Sequence, residues 1–112
     1  MENQTIELMV DAEVDTPGPQ APARGHSYLI SVTRYKILRT INGNYANELL
    51  LVGHDDADMN SPEFQPGIRK RLELTSKCPL HATYLNPFTL ENPDLFVYYC
   101  VRDQLIVDSD LN

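Results

Sequence analysis

The stretch that most constrains this chain runs from Tyr28 to His54, YLISVTRYKILRTINGNYANELLLVGH, where two strand-forming segments flank an Asn-Gly-Asn turn. Tyr28, Ile30 and Val32 alternate with Leu29, Ser31 and Thr33, but the apolar series resumes at Tyr35 and Ile37, three residues on from Val32 rather than two. A strand of period two changes the parity of its apolar face by taking in one extra residue. That places a β-bulge near Thr33 and Arg34 and predicts a bent, coiled strand. A coiled strand can serve two parts of a sheet, the device by which a small barrel closes. Beyond the turn at Asn42-Gly43-Asn44, Glu48 to His54 returns as an antiparallel neighbour, and its Leu49-Leu-Leu-Val52 run predicts burial on both faces or a central place in the barrel.

The rest of the chain is organised around this hairpin. A length of 112 residues suits one domain spanning 1–112. Six Tyr, three Phe and the lack of sustained three-and-four apolar spacing make the expected class all-β. Thr5 to Val14 alternates as a half-buried strand and gives way to a Pro/Gly-rich loop over 16–25. The acidic segment Asp55 to Pro66 ends in turn residues. It leads into Ile68 to Thr75, where Ile68, Leu72 and Leu74 share a face with Lys70, a lysine close enough to the strand start to snorkel to water. Pro79, the Leu80/Tyr84 spacing and Asn86-Pro87 predict one short helix between Ser76 and Pro87, plugging an end of the barrel. Leu95 to Val101 is a further strand, continued by or paired with Leu105 to Val107, and 108–112 is a frayed tail. The expected architecture is a small barrel of five or six antiparallel strands with one short helix.

The formal charge of −7 argues against indiscriminate binding to nucleic acid or anionic membrane. Its distribution is uneven. Residues 27–53 and 67–78 together hold seven of the nine Lys/Arg and two of the sixteen Asp/Glu, so these strands are locally basic within an acidic chain. No apolar run approaches the roughly 18 residues of a membrane span, and MENQTIELMV lacks the pattern of a signal peptide. The sequence therefore reads as soluble and cytoplasmic, with a mature exported form as the alternative. Cys78 and Cys100 lie outside any CxxC motif and are expected as free buried thiols, with a Cys78–Cys100 pair as the alternative in an exported form.

Chemistry-bearing motifs are few. His26, His54 and His81 lack metal-ligand spacing, so no metal site and no cofactor are expected, although His54 and Asp55 at a strand end could meet Cys78 or His81. Asp56, Asp58 and Asn60 have calcium-loop spacing, but Ser61 stands where the tight turn needs Gly, and Gly67 where the bidentate Glu belongs. Cys100 with His81 is the one nucleophile-base pair that could be proposed. Cys100 sits in the core-forming run LFVYYCV, and no catalytic site is expected.

Tyr35-Lys-Ile-Leu38 followed by Ile41-Asn-Gly43, then Glu48-Leu-Leu-Leu-Val52, then Phe64-Gln-Pro-Gly67 with Leu72-Glu-Leu74, resemble successive strands of the NTR-like module. That module is the OB-type barrel of tissue inhibitors of metalloproteinases, netrin C-terminal domains and many bacterial proteins, and the resemblance covers Leu8 to Thr75. It implies a barrel with a binding role. It does not carry over protease inhibition, because two cysteines cannot supply the inhibitors' disulfides and the N-terminus is Met-Glu-Asn. The function expected is a non-enzymatic interaction or assembly module for another protein, as a monomer or homodimer. Its contacts would come from the loop at 16–25, from Tyr45 at the turn tip and from Asp55, Asp56, Asp58 and Phe64 of the acidic loop. The alternative is single-stranded nucleic-acid binding, with Arg34, Lys36, Arg69 and Arg71 supplying charge and Tyr35 or Tyr99 a stacking platform, as OB barrels often do.

Overall fold

The computed structural model describes residues 5–20, 28–55, 59–77 and 82–106. Six strands follow one another: β1 (Leu8–Thr16), β2 (Tyr28–Asn42), β3 (Leu49–Asp55), β4 (Arg69–Thr75), β5 (Ala82–Leu85) and β6 (Val97–Leu105), with a short 3-10 turn at Pro62–Phe64. They form one sheet in the order β1-β4-β6-β3-β2-β5, and β1 pairs with β2 as well as with β4. That second pairing closes five of the strands into a ring, leaving β5 attached to β2.

The expected all-β class therefore holds, whereas an entirely antiparallel sheet does not. β3 runs parallel to β6 and β2 parallel to β5, while the remaining pairs are antiparallel. Parallel neighbours need long crossovers, and the connections flanking β5 and leading into β6 supply them. The expected helix between Ser76 and Pro87 is also corrected, since Ala82–Leu85 is strand β5. One Leu80/Tyr84 spacing cannot offset the cost of nucleating a helix, and Thr83 and Tyr84 favour an extended chain against the open edge of β2. Residues 78–81, with Cys78 and His81, lie outside the described residues, as do His26, Asp56, Asp58 and the tail 108–112.

The parity change in β2 has a different origin from the one expected. From Ile30 to Lys36 the pairing with β3 advances without a break, so no extra residue sits at Thr33 or Arg34 of β2. Both faces of the strand are instead covered. Tyr35 belongs to an inner cluster with Leu8, Val10, Ala12, Val14, Leu50, Val52, Leu72 and Leu74. Val32 faces the other way, into an outer cluster with Leu51 and Phe88, onto which Leu95 and Val97 pack. The apolar run of β3 divides accordingly, Leu50 and Val52 inward and Leu51 outward, as its composition implied. Gly53 makes the outer layer thin: a Cβ there would stand 2.5 Å from Ile30 Cγ2 and 3.2 Å from the Tyr99 ring. Irregularities do occur along the β1–β2 seam, between Met9 and Val10, Asp11 and Ala12, and Val14 and Thr16. These bulges bend β2 so that β1 and β3 can pair with it, which is the coiling that the sequence suggested.

The seam is pinned by charge. Asp11 stands opposite Arg39 across one strand boundary and opposite Arg71 across the other. Arg71 donates to both carboxylate oxygens of Asp11 at 2.8 and 3.1 Å, and Arg39 Nε donates at 3.0 Å. The bidentate Arg71 bonds, with Arg39 behind them, hold the Asp11 carboxyl below the usual carboxylate range despite its burial.

Candidate functional site

The ring has two ends of opposite chemistry. At one, where β2 ends and β3 begins, the inward positions are aromatic and aliphatic. Tyr45 folds back so that its hydroxyl donates to the Leu49 carbonyl at 2.7 Å, and its ring meets Tyr98 edge-on at 5.9 Å. Tyr98 in turn meets Phe96 edge-on at 5.2 Å. Phe96 keeps the inward parity of Tyr98 just outside the start of β6 and remains 55% exposed.

At the other end, where β3 and β6 finish and β4 begins, the inward positions are polar. Lys70 follows the parity of Leu72 and Leu74 and is 0% exposed, so it does not snorkel. Its ammonium lies 3.1 Å from Asp103 Oδ2, 3.4 Å from Glu63 Oε1 and 3.7 Å from the centroid of the Phe64 ring. Two carboxylates and a ring face replace the water that a lysine at a strand end would otherwise reach. The same Phe64 ring stands edge-on to His54 at 5.0 Å, and the Tyr35 hydroxyl hydrogen-bonds His54 Nε2 at 2.8 Å.

Local sequence explains the lid over this end. Ser61 Oγ accepts from the Glu63 amide at 3.4 Å and Pro62 occupies the first position of the turn, which swings Phe64 inward across the start of β4. On the neighbouring side Gly18 N donates to Thr33 Oγ1 at 3.0 Å, Ser31 Oγ donates to the Pro19 carbonyl at 2.6 Å, and Met59 N donates to Gln20 Oε1 at 2.7 Å. The described part of the Pro/Gly-rich loop is thus a cap tied to β2.

β6 contributes Cys100 and Asp103. Residues three apart in a regular strand face opposite ways, but a register shift opposite Glu73 and Leu74 takes Val101 out of step and turns both side chains inward. Cys100 is a free thiol. Burial pushes it up to about 12, helped by Asp103 and opposed by Lys70. Burial, reinforced by the Lys70 charge and opposed by Asp103, pushes His54 down to about 3. At neutral pH the pair is thiol beside neutral imidazole, without the thiolate that nucleophilic chemistry needs. A cavity of about 400 Å³ opens here, lined in part by His54, Asp55, Glu63, Phe64, Cys100 and Asp103.

The residues singled out from sequence fall differently. Phe64 is buried as the lid's wedge, because the 3-10 turn aims it inward, so it is not an exposed protein contact. Tyr45 is half-buried and held by its own hydroxyl bond, while Asp55 is exposed at the cavity rim. Of the proposed basic face, Tyr35 is wholly buried and unable to stack on a base. Arg34 is tied to Asp15 at 2.7 Å and Glu91 at 2.8 Å and lies over the Phe88 ring, clamping the outer layer. Arg71 holds Asp11, Arg69 faces Glu13 at 3.5 Å, and Lys36 is exposed. Sequence reasoning missed the cluster of Lys70, His54, Cys100 and Asp103. Its legible signals were a lysine in apolar register and a Ser-Pro-Glu turn start. The bulge at Val101 left none.

Among the described residues no helix is long and apolar enough to cross a membrane. Searches against protein-family models, curated proteins and solved structures find no match to this chain.

Proposed function

We propose that this chain is a non-enzymatic protein-interaction module on an OB-like barrel, and that Phe96 is its anchor. The ring of five strands, with β2 bent between β1 and β3, supports the barrel reading. The observation that carries the binding reading is the aromatic series Tyr45, Tyr98, Phe96, in which two half-buried rings hold a third in solvent. A rigid exposed aromatic loses little entropy on docking, which is why such residues dominate interface energies. The single-strand reading has less support, because Tyr35 is buried and Arg34, Arg69 and Arg71 each face a carboxylate.

Paired affinity purifications with the wild-type chain and Phe96→Ala as baits test this. A stoichiometric protein captured by the first and lost by the second supports the proposal. Titration with labelled single-stranded oligonucleotide at about 50 mM salt tests the alternative, since a phosphate-binding surface would reveal itself there. Binding that weakens steeply with salt would displace the protein-binding reading.

A further inference from the structure

We infer that His54, Cys100 and Asp103 form a binding site for one borderline-soft divalent metal ion of the zinc type, entered through the cavity at the polar end of the ring. One ring nitrogen of His54, the Cys100 sulfur and one carboxylate oxygen of Asp103 all lie within 4.8 Å of one another. Bonds of about 2.0–2.3 Å to a common ion bring three such atoms somewhat closer, a movement within reach of side-chain rotation. Nitrogen, sulfur and carboxylate oxygen together suit zinc or cobalt, whereas calcium and magnesium demand oxygen ligands.

Three independent features of the fold converge on these atoms. His54 and Cys100 come from neighbouring parallel strands, and the bulge at Val101 is what brings Asp103 to the same face as Cys100. The His54 ring is already oriented by Tyr35, as ligand histidines are by their outer partners. The cavity of about 400 Å³ gives the ion an entry path and leaves room for a water or a partner's side chain as fourth ligand.

Charge balance points the same way. The Lys70 ammonium faces two carboxylates, Asp103 and Glu63, leaving one negative charge in excess. A divalent ion that binds Cys100 as thiolate releases the S–H proton to solvent and brings the cluster to neutrality. Asp103 can serve both cations, because Lys70 occupies Oδ2 and the other carboxylate oxygen is left for the ion.

Cobalt(II) titration of the metal-free full chain tests the site, since a cobalt–thiolate bond gives a charge-transfer band in the near ultraviolet. One equivalent of cobalt should produce the band, zinc should abolish it, Cys78→Ser should retain it and Cys100→Ser should lose it while keeping the wild-type circular dichroism. Lys70→Met removes the neighbouring positive charge and should tighten binding about tenfold. Absence of the band in the wild-type chain, its survival in Cys100→Ser, or an unchanged affinity in Lys70→Met overturns the assignment.

Discussion

The two ends of the ring are built from the same strands and solve opposite problems. At the β2–β3 turn, Leu8, Leu74, Tyr45 and Tyr98 close the interior mostly with carbon, and the Tyr45 hydroxyl is satisfied by a backbone carbonyl. At the far end Lys70, His54, Cys100 and Asp103 put four titratable groups on inward positions, and Lys70, His54 and Asp103 are each answered by another side chain or by the Phe64 ring. The contrast shows where a small closed sheet can spend stability. Aliphatic packing contributes about 1.5–3 kcal/mol for each large side chain, enough to carry an interior charge cluster that a hydrophobic replacement would match or exceed.

That contrast can be broken from either side. The largest effect is expected from Lys70→Ala, which leaves Asp103 and Glu63 facing each other across a void and should cost about 3–5 kcal/mol in denaturant unfolding. Lys70→Met fills the same space without the charge and should recover only the packing part of that loss, as a cation of structural rather than packing importance requires. Leu74→Ala at the aromatic end should cost about 2–4 kcal/mol, with no change in the pH dependence of stability.

The pH dependence belongs to the polar end. The folded-state pKa of His54 is pushed down to about 3, below its unfolded value near 6.5, so the unfolded chain binds the extra proton between those limits. Stability is then fully present above about pH 6.5 and falls as the pH drops, by at most about 1.4 kcal/mol per unit for this one group. His54→Gln should flatten the slope between pH 6.5 and 5, where Asp11 is still ionised and the Arg39–Asp11–Arg71 seam intact. The smallest stability effect is expected from Phe96→Ala, under about 1 kcal/mol because the ring is more than half exposed, although partner binding should be lost.

Much of the fold was legible because strands announce themselves by alternation. β1, the β2–β3 hairpin and β4 follow from apolar parity, but the bulge read from the interruption in β2 is not there. The cause of that interruption was not legible. Three-residue spacing between Val32 and Tyr35 reads equally as one bulged face or as two faces each covered by its own layer, and the second layer comes from Phe88 and Leu95, some sixty residues downstream. β5 was unreadable for a related reason: a four-residue strand has too little periodicity to outvote a proline and one helical spacing.

The polar end was legible only in part. Lys70 shows its parity in IRKRLELT, but whether a lysine on an apolar face reaches water depends on what lies over it. The lid is Phe64, positioned by a 3-10 turn within a segment that reads as a solvated acidic loop. Cys100 and Asp103 meet His54 through a bulge and a parallel crossover, both long-range products of the register. The basic strands illustrate the reverse error, because Arg34, Arg69 and Arg71 form a patch in sequence while the fold hands each its own carboxylate.

Site-resolved NMR of the His54 imidazole in the metal-free chain bears most directly on the claim that His54 is buried beside the Lys70 ammonium at the polar end. The His54 ring is expected to stay neutral from pH 7 down to the acid unfolding limit. A reversible titration of His54 near pH 6.5 in the folded protein would contradict it, because such a ring would have to be solvated and remote from Lys70.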